Sequence, residues 1–188
     1  MNKLIIATVL IFAFGNMYAQ GFQFRGFEWG TTKEKIKKNE RAPFVLEKDN
    51  LLQYRSTLGD YDADLEYYFS IDGELMGARY TVRKRYKDLQ DHFKEFDFFT
   101  ELLTEKYGKP VAIQIVKEEV NVNNVGSLIA SLKSGDFAQE IKWDLPDTAI
   151  QLTLTGEGKD VIMVINYQSK KYGKMNHQLK REMVLKDL

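Results

Sequence analysis

Three aspartates, Asp60, Asp62 and Asp64, alternate along one short stretch. Oxygen ligands at this spacing open the calcium loop of an EF-hand. The continuation does not fit. Leu65 stands where the loop needs glycine, and Ile71 where it needs a bidentate glutamate. His92 is the second candidate. Asp88 lies four residues before it and Glu95 three after, so on a helix both carboxylates reach the imidazole. An acid-flanked histidine can act as a general base. The same arrangement also serves as a plain charge network on a helix surface. His177 sits in a lysine-rich tail with no nucleophile beside it. There are 2 histidines and 0 cysteines. That excludes thiol catalysis and cysteine-based zinc sites, and it leaves too little imidazole for most metal-dependent hydrolase centres. A Gly-x-Ser-x-Gly elbow, a phosphate-cradling glycine loop and a His-Glu-x-x-His pair are all absent. A glycosidase pair of carboxylates can come from anywhere in a fold, so it has no local signature to find. The sequence assigns no catalytic residue, no metal ligand and no cofactor.

Compartment is clearer than chemistry. Lys3 precedes an apolar run from Leu4 to Phe14. Gly15 and Asn16 break it, and Ala19 offers a cleavage position before Gln20. This is the layout of a secretory signal peptide over residues 1–19. The run is about half of the ~20 residues that span a bilayer, so no lasting membrane insertion is expected after cleavage. The mature chain, 20–188, is one domain's length. It is expected in the periplasm or outside the cell. Without cysteine it carries no lipidated N-terminus and relies on its core alone. The 27 basic and 27 acidic side chains of the whole chain cancel. A nearly neutral protein makes a poor non-specific ligand for nucleic acid or an anionic membrane.

The elements follow from periodicity. Phe22 to Trp29 reads as an extended aromatic lead-in interrupted at Gly26. Thr31 and Glu34 read as a capping box for a short helix reaching about Arg41 before Pro43. Leu51 to Leu58 reads as a strand. Asp62–Ser70 and Leu75–Lys84 flank Asp72-Gly73, a type I′ hairpin signal. A two-residue loop there sets Leu65 opposite Tyr80, Tyr67 opposite Ala78 and Phe69 opposite Met76 on an apolar face. On the other face Glu66 meets Arg79, Asp62 meets Arg83, and Asp60 meets Arg85. Lys87 to Tyr107 reads as the main helix, with Leu89, Phe93, Phe96, Leu103 and Tyr107 in one stripe and Gly108 and Pro110 ending it. Val111–Val116 reads as a strand, and Asn124 can cap a short helix ending at Gly135. Three strands follow: Gln139–Leu145, Ala149–Thr155 and Val161–Gln168. A basic tail begins near Lys170. The predicted fold is α+β, an antiparallel sheet of about six to seven strands with helices packed on one face. A helix before each strand block hints at a loose duplication that residue identity does not support.

The run Phe24-Arg25-Gly26-Phe27-Glu28-Trp29-Gly30-Thr31-Thr32, with Tyr107-Gly108-Lys109-Pro110 and Trp143, resembles a pattern in small exported bacterial proteins of unknown function. In these a Trp-Gly-Ser/Thr motif opens one helix and a Tyr-Gly-x-Pro motif closes another, before a curved antiparallel sheet. The order of elements is also similar to β-lactamase inhibitor proteins and small outer-membrane assembly lipoproteins. This chain lacks the lipidated cysteine of the latter. The resemblance implies a fold and carries over no catalytic residue.

Phe98 and Leu102 stand apart from the main helix stripe, at roughly 180° and 220° from Leu89 on a helical wheel. Either the segment Val120–Leu132 covers them, or they form a contact surface for a partner. The functional expectation is an exported binding or assembly module whose partner is an envelope or secreted protein. The competing expectations are a hydrolase of envelope polymers and an inhibitor of a secreted enzyme. Export has a direct readout: protein from the extracytoplasmic fraction should have an intact mass starting at or near Gln20. A species that keeps Met1–Ala19 identifies an anchor instead.

Overall fold

Every strand of the main sheet runs antiparallel to its neighbours. The computed structural model describes residues 22–86, 88–117, 125–158 and 160–175; residues 1–19, where a signal peptide is expected, His177 and the tail beyond Met175 lie outside them. A small hairpin, β1 (Gln23–Phe24) and β2 (Phe27–Glu28), precedes α1 (Lys33–Asn39). Four strands follow: β3 (Phe44–Lys48), β4 (Leu51–Leu58), β5 (Tyr61–Phe69) and β6 (Leu75–Val82). Then come α2 (Leu89–Tyr107), β7 (Ala112–Lys117) and α3 (Val125–Ser134). The last strands are β8 (Phe137–Asp144), β9 (Thr148–Glu157) and β10 (Asp160–Ser169). The sheet has 8 strands in the order β3-β4-β5-β6-β10-β9-β8-β7, not six to seven. The strand missing from the sequence reading is β3. The strand order is symmetric: each half is four strands in sequence order preceded by a helix, the second half interrupted by α3 between β7 and β8, and β6 meets β10 at the middle. No helix among the described residues is long and apolar enough to cross a membrane.

Alternation decides which side of the sheet is dry. Leu65, Tyr67, Ala78, Tyr80, Leu152 and Ile165 are all buried in one cluster, and Phe24, Ile36, Phe96, Phe99, Leu103 and Leu132 from the hairpin and helices join it. The alternate residues carry polar side chains, among them Asp64, Glu66, Arg79, Gln151 and Asn166. Across β5 and β6 the register from Ala63–Val82 to Tyr68–Gly77 agrees with period-two alternation. The loop differs from the expected one. Asp72 has no positive φ while Gly73 has φ 76°, so both central positions of a type I′ turn are not left-handed. Instead Gly73 N–H donates to Ser70 O at 3.0 Å and Ser70 N–H to Glu74 O at 2.8 Å, which makes a three-residue loop. A bulge then takes up the offset, and Leu75 rather than Met76 stands opposite Phe69. Leu75 is fully buried as a result.

Cross-strand charges follow geometry more than simple opposition. Glu66 and Arg79 do pair, at 2.5 Å. Arg83 reaches diagonally to Asp64 at 3.2 Å and across to Glu157, not to Asp62. Arg85 pairs with Asp160 at 2.9 Å instead of Asp60. β6 ends at Val82, and β10 lies alongside it.

Residues of the Phe24–Thr32 and Tyr107–Pro110 motifs, with Trp143, act as joints. Trp29 Nε1–H donates to Thr148 Oγ1 at 2.7 Å, and Trp143 Nε1–H to the Gly108 carbonyl at 3.0 Å. Gly30 has φ 90°, and a Cβ there would stand 3.1 Å from the Tyr172 hydroxyl. The helix cap is Thr32, not Thr31: its Oγ1 accepts from Lys35 N–H. Thr31 is already committed, because its carbonyl accepts from Leu75 N–H at 2.9 Å. The helix ends at Asn39, with Glu40 as C-cap.

Gly156 gives the sharpest steric test of this packing. A Cβ there would run into the carbonyls of Leu132 and Lys133 at the end of α3. Gly156→Ala should therefore cost about 1–3 kcal/mol, the usual range for overpacking. Denaturant unfolding measures it. An unchanged midpoint would mean that α3 does not sit on β9.

Candidate functional site

A cleft of about 480 Å³ opens between α2 and the β4–β5 turn. The turn is tight: Leu58 pairs with Tyr61, and Gly59 between them adopts φ 59°. α2 turns Phe99 and Leu103 toward the sheet, 6% exposed each. One position earlier along the helix, Phe98 and Leu102 are 45% and 44% exposed. Phe98 meets Phe99 edge-on at 5.8 Å, and Phe99 meets Tyr61 at 5.2 Å. Ile165 and Tyr167 of β10 reach the cleft from the sheet, and Asp60 and Lys106 supply its charges. The cover expected from Val120–Leu132 is not made by the described residues. α3 lies on β8 and β9, where Leu132 is fully buried. Residues 120–124 lie outside the described residues.

His92 is not assembled as a general base. Asp88 is taken up as the α2 cap, accepting from Gln90 N–H at 3.0 Å. The imidazole stands edge-on to the Tyr86 ring at 4.8 Å. Burial lowers its pKa, Lys133 lowers it further, and Asp91 opposes both. Glu95 faces the tyrosines instead. Its carboxylate, with burial, holds the Tyr61 hydroxyl up at about 12. Burial first and Glu95 second raise Tyr86 as well. Lys84 Nζ sits over both rings, 4.4 Å from Tyr61 and 5.2 Å from Tyr86. The hollow at this cluster is about 20 Å³, too small for a substrate.

The aspartate series does not converge either. Asp64 is occupied by Arg55 at 3.3 Å and by Arg83, Asp62 is exposed, and Asp60 lines the α2 cleft. Among the described residues no group of three or more His, Asp or Glu could hold a metal ion.

A second hollow, an open groove of about 650 Å³, lies between the β1–β2 turn and α1. Arg25 and Gly26 form that turn, with φ 53° and 83°. Both central residues are left-handed, as a type I′ hairpin requires. This conformation brings Arg25 to Glu40. Nε–H and Nη2–H of Arg25 donate to the two carboxylate oxygens at 3.0 and 2.9 Å. Nη1–H donates to the Tyr80 hydroxyl at 3.1 Å. Glu40 also accepts from the Tyr67 hydroxyl and from Arg41 N–H and Ala42 N–H, both at 2.8 Å. Its side chain is 2% exposed. Burial alone raises a carboxyl pKa, but the donors of Arg25, Tyr67 and Ala42 outweigh it and hold Glu40 at about 2. A further recess of about 190 Å³ on the polar side of the sheet is bordered by Lys142, Asp144, Gln151 and Asn166.

The sequence reading missed Tyr61, Ile165 and Tyr167 as neighbours of Phe98, and Arg25, Lys35 and Arg41 as neighbours of each other. The run of lysines on α1 was the one available signal for the groove, and of these only Lys35 lines it. The chain matches no protein-family model, no curated protein and no solved structure.

Glu40 ties stability to pH with a definite sign. A carboxyl with a folded pKa of about 2 and an ordinary value of 4.5 stabilises the fold fully above 4.5. That stability is lost as pH falls through about 2. Glu40→Gln should cost roughly 3 kcal/mol at pH 7. Wild type and variant should converge between about pH 4.5 and 2. Denaturant titrations at pH 7, 4 and 2.5 measure the gap, and a gap that stays constant with pH would rule out an ionised Glu40.

Proposed function

We propose that this chain is an exported, non-enzymatic binding module and that the α2 cleft receives an apolar anchor of an envelope or secreted protein. One observation carries the reading: Phe98 and Leu102 stand half-exposed at the mouth of an apolar cleft of about 480 Å³. Hollows of roughly 300–1,000 Å³, lined by apolar and aromatic groups with few polar ones, are the usual form of a binding site. Aromatic anchors carry much of the energy of protein contacts. The rival hydrolase reading needs two converging carboxylates. Each hollow described above holds one acid: Asp60, Glu95, Glu40 or Asp144. The inhibitor reading differs only in making the partner an enzyme. The signal-peptide pattern and the resemblance to small exported proteins support the same setting.

Phe98→Asp tests the site. The thermal midpoint should stay within about 2 °C of wild type, because the side chain fills no core position. Capture of a partner by the tagged protein from its own envelope fraction should be lost, and Leu102→Asp should act in the same direction. A stability loss of a few kcal/mol with either variant would show that the patch is covered within the chain.

A further inference from the structure

The groove beside α1 is chemically unlike the α2 cleft. Three cations line it, Arg25, Lys35 and Arg41, together with Asn39. Its one acid is Glu40, whose two oxygens already take five donors from within the chain. Glu40 compensates Arg25 and has nothing left for a ligand. Lys35 and Arg41 are exposed and form no ion pair among the described residues. Elsewhere on α1, Lys33 and Lys37 both pair with Glu47, at 3.3 and 2.6 Å, and Lys38 is exposed but does not line the groove. The groove therefore holds two locally uncompensated positive charges in a chain whose charges cancel overall.

Arg25 adds a pre-organised donor. Three of its five N–H groups are fixed on Glu40 and Tyr80. One N–H on each terminal nitrogen has no partner among the described residues, and the side chain is 32% exposed. A guanidinium held in place by its own carboxylate gives up little rotamer freedom when it binds an anion.

We propose that this groove binds a phosphate group, carried by an oligophosphate or by a phosphorylated lipid headgroup. Phosphate presents three strong acceptor oxygens and up to two negative charges, which matches three cationic donors and a surplus of two. A carboxylate offers two oxygens and one charge, and it leaves one cation unmet. The site is independent of the α2 cleft and shares no residue with it.

Calorimetric titration of the purified protein with sodium tripolyphosphate, and co-sedimentation with phosphatidic acid vesicles, test the two sources. Binding in either assay is expected, with Arg41→Glu and Lys35→Glu each weakening it at least tenfold. Lys109→Glu makes the same change in net charge at an exposed position outside the groove and should alter binding less than twofold. Tripolyphosphate binding alone identifies a soluble phosphate, and vesicle binding alone identifies a headgroup. The proposal is overturned if neither binds, if Lys109→Glu weakens binding as much as Arg41→Glu, or if citrate binds as tightly as tripolyphosphate. Circular dichroism of the variants separates lost binding from lost folding, and two exposed positions give two independent readings.

Discussion

The carboxylate of Glu40 is where three parts of the chain are joined. It accepts from the backbone N–H groups of Arg41 and Ala42 just past α1, holds the β1–β2 turn through Arg25, and meets the sheet through Tyr67. A buried charge is costly unless its lone pairs are filled. Here five donors fill them, so removing any donor exposes the rest to that cost. The left-handed turn at Arg25 is a consequence of the same demand. Arginine is unusual at such a position, and the bidentate pair offsets the backbone preference. Phe24 and Phe27 flank this turn and enter the core beside Tyr67. One ion pair thus seats the aromatic lead-in that closes one end of the core.

What could be read from the sequence depended on whether two signals agreed. β5 and β6 were legible because apolar alternation and cross-strand charge pointed to the same register. Their loop was not, since Asp72-Gly73 is compatible with both a two-residue and a three-residue turn. β3 was illegible for a physical reason. All five of its side chains are exposed, so it carries no alternation, and it starts directly after Pro43. The β1–β2 hairpin escaped notice because its strands are two residues long and its turn opens with arginine. The α1 cap moved by one residue because the Thr31 backbone joins Leu75, an interaction no local pattern records.

The same logic separates the parts of the sites. Phe98 and Leu102 were visible as a departure from a helical stripe. The walls they face come from the β4–β5 turn and from β10, and only the strand order brings those together. The acid-flanked histidine shows the converse. Its spacing was correct for contact along a helix, but each carboxylate found a nearer obligation, one at the helix end and one beside two tyrosines. Spacing states what can meet, and competition among partners decides what does.

The symmetric strand order has a consequence for how the chain acquires its structure. Within each half, neighbouring strands are also neighbours in sequence, so most ladders close short loops. The seam between β6 and β10 is the exception: Tyr80 meets Ile165 across a separation of more than eighty residues. Loop-closure entropy rises only slowly with length, but such distant pairing weighs on the folding rate. Contact order favours local organisation of the two half-sheets ahead of the central strand pair that unites them. The α2 cleft borrows Ile165 and Tyr167 from across that seam, so it comes into being only when the halves have joined.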